Sequence, residues 1–197
     1  MKKLRHLLAG SAVAIALVVG SAIAPDAAQA TEAAWVRLSN GGYTILLQHA
    51  QTLGGDASEV DPQDCATQAV LSDRGRTQAR RQGTRFAARA VTINGIYSSE
   101  YCRTQETADL AFGSYSVEVL EELDPLGQTE MSEEDQLDAI IARINGFRGP
   151  GNQLFITHGG VVQALTGTTP RDGEAVIVGP VPEGSDRPAV VGRILLN

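Results

Sequence analysis

The chain has no lysine after Lys3, so every later basic residue is an arginine. Over its full length it carries 16 basic and 23 acidic residues, a formal net charge of −7. Removing residues 1–30 takes away three bases (Lys2, Lys3, Arg5) and one acid (Asp26), which leaves 13 bases against 22 acids, or −9. Such an acidic surface argues against a nucleic acid or an anionic membrane as the main partner.

Histidine and cysteine are also scarce, with three and two residues respectively. No cluster has the spacing of metal ligands, and there is no Gly-x-x-x-x-Gly-Lys phosphate loop, so a structural zinc site and a nucleotide-binding P-loop are both excluded. We see no internal repeat, and the length after residue 30 suits a single domain over 31–197. Cys65 and Cys102 are expected to form one disulfide in an oxidising compartment; two buried free thiols are the alternative.

The first 30 residues have the pattern of a secretory signal peptide. Met1–Arg5 is basic, Leu7–Ala24 is apolar or small, and Ala28-Gln29-Ala30 fits the small-x-small cleavage pattern. We therefore predict a signal peptide over 1–30, a periplasmic or secreted product, and no membrane span after cleavage. An uncleaved anchor is the alternative, because the apolar stretch is at the lower limit for crossing a bilayer.

Strand and helix patterns alternate along the rest of the chain. Short apolar runs bounded by Gly and Asn predict buried strands, and longer runs with 3.6-residue periodicity predict helices. We expect a short lead-in over 31–40 and a polar loop over 51–68. Strands are expected at 43–48, 93–97, 117–120, 153–157, 174–179 and 189–196, and helices at 72–90, 101–112, 133–147 and 159–166. This order predicts an α/β, three-layer sandwich with a mostly parallel central sheet flanked by helices.

Two histidines occupy equivalent places in this pattern. His49 and His158 each follow a short apolar run and precede small or turn-forming residues. Ligands bind at the carboxyl ends of strands in open α/β sheets, so the matched pair predicts chemistry, although either histidine alone could be a hydrogen-bonded core residue. Arg103, expected in the first turn of a helix, adds a guanidinium suited to phosphate and the positive end of the helix dipole. Together the three indicate a site for a tetrahedral oxyanion.

Four stretches carry a family resemblance. They are Ile45-Leu-Leu-Gln-His49-Ala-Gln-Thr52, Leu71-Ser-Asp-Arg-Gly75-Arg-Thr-Gln-Ala79, Ile96-Tyr-Ser-Ser-Glu-Tyr-Cys-Arg103-Thr-Gln-Glu-Thr107-Ala, and Phe155-Ile-Thr-His158-Gly. In these stretches the chain resembles the histidine phosphatase superfamily, the phosphoglycerate-mutase-like group, and within it small periplasmic members.

The resemblance implies a phosphohistidine at His49, with His158 and Arg103 binding the transferred phosphoryl group and with Gln48, Thr52 and Gly159 around the substrate. No metal or other cofactor is implied, because the protein's own cations supply the charge. Related enzymes take a general acid from the segment after the third strand. Here that segment offers Glu121, Glu122 and Asp124, of which we favour Glu122 by its position relative to Leu120.

The chain departs from the family pattern at two basic positions. Gln48 stands where the family has arginine, and Ala69 stands where related sequences have a second basic residue. Losing one preorganised donor to a developing oxyanion typically costs ~10²–10³ in rate. Two functions follow: a phosphomonoesterase, weakened by the missing arginine, or an impaired pseudophosphatase that binds a phosphorylated ligand or partner. The expected partner is a small phosphorylated substrate, an envelope glycolipid or a phosphoprotein.

Overall fold

The computed structural model describes residues 27–56 and 60–196. A six-stranded sheet lies between two layers of helices, which confirms the three-layer α/β prediction. The helices are α1 (Ala27–Asn40), α2 (Asp73–Ala88), α3 (Cys102–Phe112), α4 (Glu133–Gly146) and α5 (Gly159–Thr166). The strands are β1 (Thr44–Gln48), β2 (Thr52–Leu53), β3 (Val70–Leu71), β4 (Ile93–Ser98), β5 (Val117–Val119), β6 (Asn152–Thr157), β7 (Glu174–Val178) and β8 (Val190–Leu195).

The sheet is parallel in its first four strands. Its order is β5-β4-β6-β1-β7-β8, with β7 antiparallel to both of its neighbours. The central strand β6 is buried at all six positions, and β1 at four of its five. Near-continuous apolar runs of this kind are what a strand covered on both faces requires.

Each face of the sheet packs a separate core. On one side, α1, α2 and α3 cover Ile45, Leu47 and Ile156, together with Trp35 and Phe86 from the helices. On the other side, α4 and α5 cover a second apolar set, namely Leu46, Phe155, Val176, Ile140 and Val162. The alternation of neighbouring residues between the two cores follows from the two-residue period of a strand.

The lead-in predicted over 31–40 is wrong, because these residues belong to helix α1. Ala34, Trp35 and Leu38 are buried against the sheet, a stripe too short and alanine-rich to stand out as a periodic pattern. After Asn40 the helix cannot continue, because Gly41 has φ +74° and an added Cβ would lie 2.2 Å from the Pro150 carbonyl oxygen.

The polar loop predicted over 51–68 contains part of a small ribbon. Thr52 and Leu53 in β2 pair antiparallel with Val70 and Leu71 in β3. The loop also holds the 3₁₀ helix Cys65–Thr67, and a second 3₁₀ helix, Glu121–Leu123, follows β5. Cys65 and Cys102 form a disulfide with a Cα–Cα distance of 5.7 Å, as predicted.

None of the helices in residues 27–56 and 60–196 is long and apolar enough to cross a membrane. The apolar stretch Leu7–Ala24, and nearly all of the predicted signal peptide, lie outside the described residues. Residues 27–30 are described, and they form the first turn of α1.

Candidate active site

The register of the sheet brings the two histidines together. Gln48 at the end of β1 pairs with Thr157 at the end of β6, so His49 and His158 leave adjacent strands at the same level. The His49 amide donates to the Thr157 carbonyl at 3.1 Å. Their ring centroids are 5.4 Å apart, and both residues are less than one-tenth exposed. Both imidazoles therefore lie in one crevice at the carboxyl edge of the sheet, where the strand ends were expected to bring them.

The orientation of His49 is fixed by its own backbone. Its Nδ1 lies 2.9 Å from the Ala50 carbonyl oxygen, which can only accept, so Nδ1 carries the proton. The other ring nitrogen, Nε2, is then the unprotonated one in the neutral ring. Burial lowers the pKa of His49 to about 4, and the positive charge of Arg103 acts in the same direction, while the Ala50 carbonyl, Asp172 and Asp56 oppose the change. His49 is therefore a neutral imidazole at neutral pH, the form that can attack phosphorus.

Arg103 lies beside the second histidine. Its side chain leaves the first turn of α3, is 8% exposed, and donates from Nε to His158 Nδ1 at 3.4 Å. The guanidinium also stacks 4.7 Å from the Tyr101 ring centroid, and its Nη1 donates to Asp56 Oδ1 at 2.9 Å. Asp56 is thus bonded to the Arg103 guanidinium, the group that the sequence analysis assigns to binding a phosphoryl group. The same Asp56 oxygen accepts from the Ala69 amide at 2.8 Å.

A buried hydrogen-bonded chain extends behind His158. Because Nδ1 accepts from Arg103, the neutral ring carries its proton on Nε2, which lies 2.9 Å from Ser99 Oγ. Ser99 in turn donates to Asp124 Oδ1 at 2.6 Å, and Asp124 also accepts from the Glu100 amide. Burial raises the pKa of Asp124 to about 6, against the effect of these two bonds. Burial also lowers the pKa of His158 well below its usual value, with the neighbouring His49 and Arg103 adding to the effect.

Glu122, favoured above as the general acid, is not brought to the histidines. Its Oε1 accepts from Arg143 Nε at 2.5 Å. The carbonyl of Arg143 accepts from Gln153, near the start of β6 and therefore at the opposite end of that strand from His158. The choice of Glu122 by its position relative to Leu120 fails because Glu121–Leu123 is a 3₁₀ helix. Of the three carboxyl groups in this segment, Asp124 is the one bonded into the histidine cluster.

Gln48 and Gly159 lie against each other beside the site. Gln48 Nε2 donates to Asp172 Oδ1 at 2.9 Å, while its buried Oε1 has no hydrogen-bond partner within the described residues. A Cβ on Gly159 would lie 3.0 Å from that Oε1, so only a residue without a side chain fits there without displacing Gln48. The turn that carries Asp172 is tied to the end of β1, since the Gly173 amide donates to the His49 carbonyl at 3.0 Å.

Thr52 lies in the β2–β3 ribbon, paired with Leu71, and it has no side-chain hydrogen bond to the histidine cluster within the described residues. Asp56, three residues after that strand, instead contacts Arg103. Sequence reasoning missed Asp56, Asp172 and Ser99, because loop residues meet the site only through tertiary contacts. The one available signal was the position of Ser99 immediately after β4.

Two helices begin at this edge of the sheet. His158 is the N-cap of α5 and Tyr101 that of α3, and neither cap side chain bonds to the first amides of its helix. Helix N-termini offer free N–H groups and a positive dipole end, which favour an anion. No group of three or more His, Cys, Asp or Glu residues close enough to hold a metal ion occurs in the described parts of the chain. The Arg103 guanidinium and these helix N-termini are groups that suit an oxyanion.

Comparison with known proteins agrees with this geometry. A family model described as the histidine phosphatase superfamily (branch 1) matches residues 44–139. No curated protein matches the chain by sequence. The family match over residues 44–139, the fold and the arrangement of His49, Arg103 and His158 all make the chain similar to members of the histidine phosphatase superfamily.

Solved structures share the fold at low sequence identity. The protein histidine phosphatase SixA complexed with tungstate is 20% identical, with a TM-score of 0.54 over 78% of this chain and 96% of that one. The alpha-ribazole phosphatase from Shigella flexneri is 17% identical, with a TM-score of 0.56 over 79% and 96%. A phosphoserine phosphatase variant from Entamoeba histolytica, in complex with phosphoserine, is 17% identical, with a TM-score of 0.53 over 77% and 95%. At these identities the likeness establishes the fold.

Proposed function

We propose that this chain is a phosphoric monoester hydrolase that acts through a phosphohistidine at His49. The observation that carries the proposal is the state of His49: a buried, neutral imidazole whose proton is held on Nδ1 by Ala50. Its Nε2 is free to attack at a site where Arg103 supplies nitrogen donors and the His158 ring lies 5.4 Å away, measured between ring centroids. The similarity to the histidine phosphatase superfamily supports the same chemistry.

The reaction takes two transfers. In the first, the lone pair of His49 Nε2 attacks phosphorus as the bond to the ester oxygen breaks, which leaves a phosphohistidine and an alcohol once the oxygen is protonated. In the second, water attacks phosphorus, His49 leaves as the neutral ring, and phosphate is released. Arg103 and the amides at the start of α5 stabilise the equatorial oxygens in both steps.

The proton for the leaving oxygen passes, we propose, through Asp56, whose carboxylate first takes one up from solvent after the phosphoryl group has displaced it from Arg103. Glu122 is bound to Arg143, and Asp124 lies behind His158, so neither reaches the outer side of the phosphoryl site. Asp56 is 35% exposed, touches Arg103, and acts electrostatically on His49. Binding of a phosphoryl group to Arg103 would move this carboxyl group to the edge of the site, where the leaving group departs.

The test uses the chain from residue 31 and 4-nitrophenyl phosphate. We expect turnover by the wild type and none by His49→Ala. Brief mixing with a radiolabelled ester should leave acid-labile, alkali-stable label on the wild type alone. Asp109→Asn, at an exposed position on α3, is the control for general effects of substitution. Equal rates in wild type and His49→Ala would contradict the proposal.

A binding module is the second candidate, and one observation favours it. Arg103 is already paired with Asp56, and neither Gln48 nor Ala69 supplies the positive charge found in related sequences. A pseudophosphatase should bind tungstate or a phosphorylated partner without turnover. Gln48→Arg separates the two candidates: a gain in turnover supports a weakened enzyme, whereas unchanged turnover with weaker tungstate binding supports a rebuilt binding pocket.

We also propose a periplasmic or secreted location. The basic, apolar and small-x-small pattern of residues 1–30 supports it, as does the Cys65–Cys102 disulfide, since such bonds persist in oxidising compartments. The substrate would then be a small phosphorylated molecule, an envelope glycolipid or a phosphoprotein. Residues 1–30 fused to a reporter that is active only after export should give activity, and a fusion without them should not.

A further inference from the structure

A second charged cleft adjoins the catalytic edge. It is about 190 Å³ in volume, and its lining residues are Gln51, Arg74, Gln78, Arg171, Asp172 and Leu195. A neighbouring hollow of about 230 Å³ shares Arg74 and Gln78 and adds Arg81. We call Arg74, Arg81 and Arg171 the arginine cleft.

Hydrogen bonds fix this cleft to the nucleophile strand. The Gln51 amide, two residues after His49, donates to Gln78 Oε1 at 3.0 Å, and Gln78 Nε2 donates to the Asp172 carbonyl at 2.8 Å. Asp172 in turn accepts from Gln48 at the end of β1. The cleft therefore opens at the same edge of the sheet as the two histidines.

The turn that holds Arg171 is pressed against α2. Gly173 has φ +70°, and an added Cβ would lie 2.5 Å from the side-chain Nε2 atoms of Gln78 and Gln82. Gln82 also donates to the Gly173 carbonyl at 3.2 Å. Only glycine permits this approach, which holds Arg171 next to Arg74 in spite of their like charges.

The cleft carries a net positive charge. Within the described residues, Arg74, Arg81 and Arg171 form no ion pair, although the chain as a whole is acidic. Arg74 lies in the first turn of α2, where the helix dipole disfavours a cation. Among the described residues that line the cleft, Asp172 is the one carboxylate, and it already accepts from Gln48. A net positive cleft of this kind fits an oxyanion.

We propose that the arginine cleft binds a second anionic group of the substrate. This proposal rests on the proposed phosphatase function. It defines the substrate class as phosphomonoesters whose alcohol part carries a carboxylate or a second phosphoryl group. The reacting phosphoryl group lies at His49 and Arg103, and the second group meets Arg74 and Arg171. This subsite supplies the positive charge that Gln48 and Ala69 do not, but to the leaving group instead of the reacting phosphorus.

The experiment measures binding of non-hydrolysable phosphonates by calorimetry at low ionic strength. Each probe carries an alkyl chain that ends in a carboxylate, a neutral primary amide or a second phosphonate, and chain length is varied to span the unknown separation. At the best length, the wild type should bind an anionic end about tenfold more tightly than the amide, the effect of two charge-assisted contacts. Whether carboxylate or phosphonate binds more tightly then identifies the second group.

Arg74→Gln and Arg171→Gln should remove most of this preference while leaving affinity for the amide probe unchanged. Arg80→Gln, an exposed residue of α2 outside the cleft, should retain it. Equal affinity for the anionic and amide probes at every length, or equal loss in all three variants, would overturn the subsite. If the amide probe does not bind at all, the result counts against the phosphoryl site and so against the proposed function. The turnover assays described above test that function separately.

Discussion

At the scale of single residues, the site depends on groups whose protons are placed by hydrogen bonds. The Ala50 carbonyl keeps the proton of His49 on Nδ1, and Arg103 keeps that of His158 on Nε2. Both rings are buried beside a guanidinium, so both stay neutral at neutral pH. In the proposed reaction, the neutral ring of His49 needs no base to activate it.

The protonation of His49 can be observed directly. Because its folded pKa is lowered to about 4, the neutral ring is the form that the folded state favours. Its contribution to the free energy of unfolding is present above the ordinary value of 6.5 and is lost as pH falls towards 4. In long-range ¹H–¹⁵N spectra of the chain from residue 31, which retains only His49 and His158, neither ring should titrate above about pH 5. A His49 midpoint near 6.5 would contradict this.

Asp124 should have the opposite effect on stability. Its folded pKa is raised from 3.8 to about 6, so its protonated form fits the fold better than its carboxylate. The stability it contributes is complete below the unfolded pKa and is lost as pH rises through the folded one, a change of up to about 3 kcal/mol. Urea unfolding at pH 4 and pH 7 should therefore show that the free energy of unfolding of Asp124→Asn rises relative to that of the wild type as pH rises.

The matched control for this measurement is Asp138→Asn on the exposed side of α4, whose difference from the wild type should stay constant across the same range. A constant difference for Asp124→Asn as well would mean that burial does not penalise the carboxylate. The comparison between variants cancels the histidine contribution, because His49 and His158 are present in every protein tested.

Asp56 gives a prediction in which binding and turnover change in opposite directions. Asp56→Asn retains an acceptor for the Ala69 amide but removes the charge that neutralises Arg103, so tungstate should bind about tenfold more tightly. If Asp56 is the general acid, hydrolysis of alkyl phosphates should fall ~10²-fold or more, while that of 4-nitrophenyl phosphate, with its good leaving group, changes little.

Asp109→Asn makes the same change in net charge at a position on α3 away from Arg103. It should leave both affinity and turnover unchanged. An Asp56→Asn variant with wild-type tungstate affinity would show that the pair with Arg103 does not compete with an oxyanion. Equal losses on alkyl and aryl phosphates would instead remove Asp56 from the proton transfer.

At the scale of secondary-structure elements, the start of α3 is secured twice. The Cys65–Cys102 disulfide ties its first residue to the 3₁₀ helix of the preceding loop, and Gln68 Oε1 accepts from the Cys102 amide at 2.8 Å. Arg103 is the next residue, so its approach to His158 depends on both ties. The loop that supplies Asp56 also reaches this point through Ala69.

Replacing both cysteines with serine should lower the free energy of unfolding by about 2–4 kcal/mol, since the bridge closes a loop over a sequence separation of 37 residues. Tungstate affinity should fall as well, because Arg103 is held less firmly. Urea unfolding and calorimetry measure the two effects. The wild type under reducing conditions is the matched comparison, and the same stability in oxidised and reduced protein would contradict the prediction.

Elements that are defined by their own pattern were predictable from the sequence. The apolar runs before His49 and His158 identify two central strands, and parallel pairing then brings their ends together. The disulfide and the place of Arg103 in a helix's first turn were also predicted. What failed depends on tertiary contact: the 3₁₀ turn that points Glu122 towards Arg143, and the loops that bring Asp56 and Asp172 to the site. No local periodicity records those contacts.

At the scale of the whole molecule, α1 closes one face of the sheet. Trp35 packs edge-on to Phe86, with ring centroids 5.3 Å apart, and Arg89 Cζ lies over the indole ring, 5.2 Å from its centroid. The Leu38 carbonyl accepts from Asn152 at the start of β6. This helix adjoins the proposed signal-peptide cleavage site, so cleavage after Ala30 would remove only its first four residues, 27–30.

The stability of the chain should therefore depend on residues 31–40 in a graded way. A chain of residues 31–197 retains Ala34, Trp35 and Leu38 and should unfold cooperatively in urea. Trp35→Ala in that chain should cost about 3–5 kcal/mol, the usual effect of emptying a buried aromatic site. Val36→Ala, at a position 59% exposed, should cost less than about 0.5 kcal/mol. A chain of residues 41–197 loses this whole layer and should not reach the native state. If it unfolded with the same free energy as 31–197, α1 would be an appendage to the core and not part of it.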